Sequence, residues 1–170
     1  MGKSKMESPY VSKIKELLKN VTIVVMGDLD TIRQHKILED IKVIIDEIPA
    51  DSIDWAEVVP IRINLTKISF TLAHYAALTG SLPKGFGGWS ITARVGNRSV
   101  CVAEVAARFN GLPEDFKDWH LADEKGWSVA HVYATLRPMP ESFTQWDLST
   151  VKEVSVRDIA DYVKKAGYPR

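Results

Sequence analysis

The sequence has no excess of charge of either sign, a single cysteine and no long apolar run. Its 22 lysine and arginine residues balance 22 aspartate and glutamate residues, whereas nucleic-acid-binding proteins normally carry a basic surplus. One cysteine excludes an internal disulfide and favours a reducing compartment. The longest apolar run, residues 21–26, is far too short to span a bilayer. We therefore expect a cytoplasmic protein that binds neither nucleic acid directly nor a membrane.

Motifs that carry catalysis or bind metal are also missing. No G-x-S-x-G, H-E-x-x-H or C-x-x-C pattern occurs. His74 and His131 occupy the same place in two copies of a repeat, and packed elements lie about 10 Å apart, so the two rings cannot share one ion. We predict no catalytic residue, no metal ion and no cofactor.

Internal repetition is what the sequence does contain. The pattern Pro-x5-Trp occurs four times, with steps of 34, 30 and 27 residues between tryptophans at Trp55, Trp89, Trp119 and Trp146. An Ala-rich block with helical spacing lies upstream of each of the last three copies. A small hydroxyl or thiol residue opens each such block, at Thr71, Cys101, Ser128 and, in a degraded last copy, Ser155. The Thr and Ser side chains are predicted to cap helices, whereas Cys101 is a poor substitute. Periods of this length are typical of stacked-repeat proteins, which mostly serve as binding surfaces.

The repeat resembles the ankyrin repeat. Residues 123–134, Asp-Glu-Lys-Gly-Trp-Ser-Val-Ala-His-Val-Tyr-Ala, are similar to the ankyrin pattern Asp-x-x-Gly-x-Thr-Pro-Leu-His-x-Ala-Ala. Residues 71–77 form a second match. The resemblance implies that His74 and His131 hold turns by hydrogen bonds to the backbone. The similarity covers roughly residues 66–170 and, more weakly, 31–65. Because the periods of 27 to 30 residues are shorter than the usual value of about 33, the second helix of each unit should have about one turn.

The predicted fold is mainly all-α, an α-solenoid of about five ankyrin-like helix-turn-helix units with an N-terminal helical cap. We place the tail and capping segment at residues 1–30 and the repeat array at 31–170. Its units span about 31–65, 66–91, 92–121, 122–148 and 149–170. Apolar spacing predicts helices over 9–19 and 31–47, with Asp28 or Asp30 as cap of the second, and an extended linker over 56–66. Residues 21–26 fit a strand and a helix equally well.

The resemblance implies a binding surface, because turn tips and the inner helix face bind partners in ankyrin-like arrays. Turn residues and departures from the repeat are the candidates for partner contact: Arg94, Arg98, Glu124, Lys125, Trp127 and Tyr133. We predict a protein–protein interaction module, monomeric or homodimeric, that binds a protein partner. Its size suggests an effector or inhibitor of a host complex, from a phage or a bacterium. A homo-oligomeric structural protein and, less favoured, an enzyme without a recognised motif remain alternatives.

Overall fold

The computed structural model of the protein describes residues 7–19, 36–63, 66–109 and 111–167. Six α-helices lie in these ranges: α1 Pro9–Leu18, α2 Lys36–Ile45, α3 Leu72–Thr79, α4 Val102–Arg108, α5 Val129–Leu136 and α6 Val156–Ala166. Between them lie a 3₁₀ helix, Ile53–Ala56, and four strands: β1 Ile61–Ile63, β2 Thr66–Ile68, β3 Thr92–Val95 and β4 Arg98–Cys101. Residues 21–26, Asp28 and Asp30, for which we predicted a strand or helix and a helix cap, lie outside the described residues.

The fold mixes helix and sheet, so the prediction of an all-α solenoid of helix-turn-helix units is wrong. Strand β1 and the start of β2 lie in the predicted linker over 56–66, and strands β3 and β4 include most of the predicted turn over 93–98. The four strands form one antiparallel sheet of order β1-β2-β3-β4. The first segment is rich in β-branched side chains, which favour strands. The second contains the two-residue loop Gly96-Asn97, a hairpin signal, and Gly96 has a positive φ of 62°.

The predicted second helix of each unit is also wrong in the last three copies, where the described chain makes two successive turns. In the copy that begins at Pro140, the amide of Phe143 donates to the carbonyl of Pro140 at 3.0 Å. The amide of Leu148 donates to the carbonyl of Gln145 at 3.2 Å. Starting a helix is costly for the single hydrogen bond it gains. Segments this short therefore close turns without propagating into a helix.

The repetition seen in the sequence reappears as a repeated backbone hydrogen-bond register. In each of the last three helices, the amide of the first residue donates to the carbonyl of the aliphatic residue that lies two positions after the tryptophan. The pairs are Val102 to Ile91 (2.9 Å), Val129 to Leu121 (2.8 Å) and Val156 to Leu148 (2.9 Å). The second residue donates to the tryptophan carbonyl, in the pairs Ala103 to Trp89 (3.2 Å), Ala130 to Trp119 (3.2 Å) and Arg157 to Trp146 (3.1 Å). The same two bonds therefore lock each turn pair onto its helix.

A continuous row of aromatic rings joins the four Pro-x5-Trp copies. Neighbouring rings meet edge to face in the order Trp55, Phe86, Trp89, Phe116, Trp119, Phe143 and Trp146, with centroids 4.9 to 5.9 Å apart. Such pairs contribute about 0.5–1.5 kcal/mol each beyond their buried area. The helices also pack in chain order, each on the next, from α1 to α6. The row is therefore part of the hydrophobic core.

The helices predicted near the N-terminus are present where the chain is described. Helix α1 matches the predicted range 9–19 to within one residue, and α2 lies inside the predicted range 31–47. Each buries its apolar face, with Val11 and Ile14 in α1 and Leu38, Ile41 and Ile45 in α2. No helix in the described ranges combines the length and apolar character that crossing a membrane requires.

Candidate functional site

The predicted helix caps are confirmed. The hydroxyl groups of Thr71, Ser128 and Ser155 each accept a hydrogen bond from the amide three residues later. Cys101 occupies the same position but makes no side-chain cap bond, as expected for a weak thiol acceptor. The three capped helices therefore have well-defined starts, which fixes the turns that precede them.

His74 and His131 hold turns, as predicted, and they also reach across units. The Nε2 atom of His74 donates to the carbonyl of Val100 at 2.8 Å, and its Nδ1 atom lies 2.7 Å from the Thr71 hydroxyl. His131 repeats both contacts with the carbonyl of Val154 (2.8 Å) and the Ser128 hydroxyl (2.6 Å). Each histidine thus ties its own helix to the turn of the following unit.

Burial disfavours the charged form of both rings. It lowers the pKa of His74 to about 4, against 6.5 for an exposed histidine, and lowers the pKa of His131 as well. Since a carbonyl can only accept, Nε2 carries the proton and Nδ1 is left as the acceptor of a neutral ring. Both nitrogens of each ring are therefore occupied. Among the described residues, no group of three or more histidine, cysteine or acidic side chains converges on a possible metal position.

Glu104 takes the histidine position in α4, and its carboxylate is buried beside two arginines. Arg98 pairs with Glu104 and donates from Nε to Asp123 at 2.8 Å. The Nε atom of Arg108 lies 3.5 Å from the other Glu104 oxygen. The side chains of Glu104 and Asp123 are only 5% and 3% exposed, and burial raises the pKa of Glu104. Arg98 thus bridges strand β4 to the next turn, as a structural ion pair.

Arg94 also pairs within the chain, but on the surface. Its Nη1 atom lies 2.8 Å from Glu124 and donates to the Ser99 hydroxyl at 3.0 Å. Hydrogen bonds from the Ser99 hydroxyl and amide help to lower the pKa of Glu124 to about 2. Both partners of the ion pair remain more than half exposed. Arg94 and Arg98 therefore differ in burial and do not form one free basic patch.

The turns of the last two units are built alike and lie side by side. In the first, the amide of Asp123 donates to the carbonyl of Trp127 at 3.2 Å; in the second, Thr150 donates to Val154 at 3.0 Å. The amide of Val151 in the second turn donates to a carbonyl of the first, that of Lys125, at 2.8 Å. This hydrogen bond fixes the spacing of the two turns.

A cleft of about 570 Å³ opens at these two turns, and we call it the turn cleft. Four of the six predicted contact residues line it: Arg98, Glu124, Lys125 and Trp127. Trp127 stacks on His131 with ring centroids 5.1 Å apart, in the arrangement that Phe70 adopts on His74. The turn cleft therefore brings together most of the predicted site.

Tyr133 lies elsewhere, on helix α5. Its ring meets Trp119 edge to face at 5.3 Å, and the guanidinium carbon of Arg137 lies 5.0 Å from its centroid. It is therefore packed against the aromatic row. Arg94, the other predicted residue outside the cleft wall, touches the cleft only through its ion pair with Glu124.

Sequence reasoning missed the apolar part of the turn cleft. Val151 and Val154 line it and are 74% and 37% exposed. Lys152 and Arg108 were missed as well. The available signal was two valines inside a turn segment, where polar residues and glycine normally dominate.

A second cleft, of about 720 Å³, lies between the turns that start at Pro83 and Pro113. Its aromatic walls are Phe86, Trp89 and Phe116, which belong to the edge-to-face row of the core. The three aromatic side chains already have a structural role in the aromatic row. Val151 and Lys125, which line the turn cleft, are not part of that row. We therefore take the turn cleft as the candidate site.

Comparisons of the chain with protein-family models, with curated proteins and with solved structures find no match.

Proposed function

We propose that the protein is a protein-interaction module that binds one protein partner at the turn cleft. The observation that carries this proposal is the exposure of Val151, at 74%, beside Trp127 and Val154 in a concave surface. Protein interfaces combine an apolar centre with a polar rim, and here Glu124, Lys125 and Lys152 supply the rim. The resemblance to the ankyrin repeat favours the same turns, because ankyrin-like arrays bind partners at their turn tips.

The cleft is held in shape by contacts behind it, which supports a binding role. The hydrogen bond from His131 fixes Val154, the ion pair from Arg98 fixes Asp123, and the bond between Val151 and Lys125 joins the two turns. A surface that is ordered before binding loses less conformational entropy when a partner docks. The buried side chains of His74, His131 and Glu104 are all engaged in structural hydrogen bonds or ion pairs, which favours binding over catalysis. We place this activity in the cytoplasm, where the thiol of Cys101 would stay reduced.

Affinity capture with matched variants tests the proposal. Val151→Asp puts a charge at the centre of the cleft, whereas Ile53→Asp puts the same charge at another exposed apolar residue, 84% accessible, outside the cleft. We expect the wild type and Ile53→Asp to retain the same partner and Val151→Asp to lose it. Equal retention by both variants would refute the assignment of the site.

Light scattering separates this proposal from self-association. A second copy of the chain as the occupant of the cleft would raise the mean mass with concentration, and Val151→Asp would suppress that rise. A mass that stays at one chain, together with the capture result above, supports a distinct partner.

A further inference from the structure

The charges at the turn cleft do not cancel. Among the described residues, Arg98 and Arg108 are balanced by the buried Glu104 and by Asp123, and Arg94 balances Glu124.

The remaining wall charges are Lys125 and Lys152, neither of which has an ion-pair partner in the described part of the chain. The exposed Glu153 lies on the same turn but not in the cleft wall. The open rim is therefore positive, although the whole chain carries no formal net charge.

The centre of the cleft is apolar and suits one or two side chains. Val151, Val154 and the half-buried Trp127 form it. The indole is held by stacking on His131 at 5.1 Å, so the surface does not need to rearrange to receive a guest. A volume of about 570 Å³ lies within the range of pockets that enclose a small ligand or a short peptide segment.

We infer that the turn cleft binds an acidic peptide segment of the partner, with one apolar side chain between Trp127 and Val151 and carboxylates on Lys125 and Lys152. This inference rests on the proposed function and specifies the chemistry of its partner. Opposite charges across an interface raise the association rate and exclude partners of the wrong sign.

A nucleic acid fits these walls less well than a peptide. Single-stranded nucleic acids are held by a basic track together with aromatic platforms on which successive bases stack. The turn cleft offers two unpaired lysines and one indole, and that indole already stacks on His131. Valine side chains at the centre match an aliphatic or aromatic residue of a protein segment.

Selection from a displayed library of random peptides against the intact protein tests the inference. We expect the enriched peptides to contain aspartate or glutamate on both sides of an aliphatic or aromatic residue. Amide NMR shifts should place them at Lys125, Trp127, Val151 and Lys152. The double substitution Lys125→Glu with Lys152→Glu should weaken the selected acidic peptides by roughly tenfold and enrich basic peptides in a repeated selection. The control Lys84→Glu with Lys117→Glu, in the second cleft, should leave their affinity unchanged.

Each other outcome has a distinct meaning. Peptides that shift the cleft amides but are neutral or basic would overturn the acidic-peptide inference and leave the proposed function standing. Saturable shifts of the same amides by single-stranded DNA, lost in the double lysine variant, would replace the peptide by a nucleic acid. Peptides that map elsewhere, or no enrichment above the library, would overturn both the inference and the proposed site.

Discussion

The Nε2 atom of His131 donates a hydrogen bond to the carbonyl oxygen of Val154, 2.8 Å away, and so joins helix α5 to the turn of the next unit. Val154 also lines the turn cleft. The contact that stacks one unit on the next therefore also positions part of the candidate binding surface. His74 makes the same contact with the carbonyl of Val100, which lies in strand β4, and so joins helix α3 to the sheet.

Acidification should destabilise the protein through its buried histidines. The folded-state pKa of His74 is about 4 and the unfolded value 6.5, so between these values the unfolded chain binds a proton that the folded chain does not. Stability is fully present above pH 6.5 and falls as the pH drops toward 4. From pH 7 to pH 5 we expect a loss of about 2 kcal/mol from this group.

Urea unfolding at several pH values measures this effect. His74→Gln should lower stability at pH 7 and flatten its dependence on pH, whereas His120→Gln, at an exposed histidine, serves as the control and should keep the wild-type slope. An unchanged slope in His74→Gln would show that the buried ring is not the cause.

Glycine should be the more stable residue at the matching left-handed position of both turns. Gly126 has a φ of +75°, and a Cβ there would lie 3.0 Å from the Thr150 Cα and the Val151 nitrogen. Gly126→Ala should therefore lower the free energy of unfolding by about 2 kcal/mol. Glu153 occupies the corresponding place with a φ of 64°, so Glu153→Gly should relieve strain and stabilise by about 0.5–1 kcal/mol. Denaturant titration of both variants checks the signs, and a stabilised Gly126→Ala would contradict the turn geometry.

Arg98 and Arg94 should differ sharply although they lie on adjacent strands. Arg98→Met leaves the carboxylate of Asp123 without its cation and leaves the buried Glu104 with Arg108 alone, at 3.5 Å. Breaking a buried pair costs about 3–5 kcal/mol. Because the Arg98 side chain is 35% exposed, we expect a smaller loss, of roughly 2–3 kcal/mol. Arg94→Met removes an exposed pair with Glu124 and should leave the free energy of unfolding nearly unchanged. Thermal or urea unfolding of both variants measures the contrast, and equal effects would refute the structural role of Arg98.

Local features were predictable from the sequence because neighbouring residues determine them. A hydroxyl before an Ala-rich block indicates a cap at Thr71, Ser128 and Ser155. The spacing of Pro, Phe and Trp indicates where the copies recur, but the short second helix that we predicted there is replaced by two turns. The role of His74 and His131 followed from the ankyrin resemblance of two short segments. Each of these predictions depends on residues only a few positions apart.

The rest depends on contacts between distant segments. In the sequence, Arg98 has the pattern of an exposed charged residue in a turn. Its partly buried position depends on the ion pair with Asp123, which lies 25 residues further along the chain. The hairpins were missed because the repeat pattern outweighed the strand signals of β1 to β4. The apolar centre of the turn cleft was missed because Val151 forms it together with Trp127. Trp127 belongs to the preceding unit, so the sequence around Val151 does not show that the two side chains line one cleft.

Hydrogen exchange of the free and partner-bound protein tests the central claim most directly. We predict that the amides of residues 123–127 and 150–154 exchange roughly tenfold or more slowly in the complex, since docking shields the turn cleft and suppresses its local opening. The turns over 83–88 and 113–118 should keep their rates. Protection of those Pro-containing turns, with unchanged exchange at 123–127 and 150–154, would contradict the account and move the binding site to the second cleft.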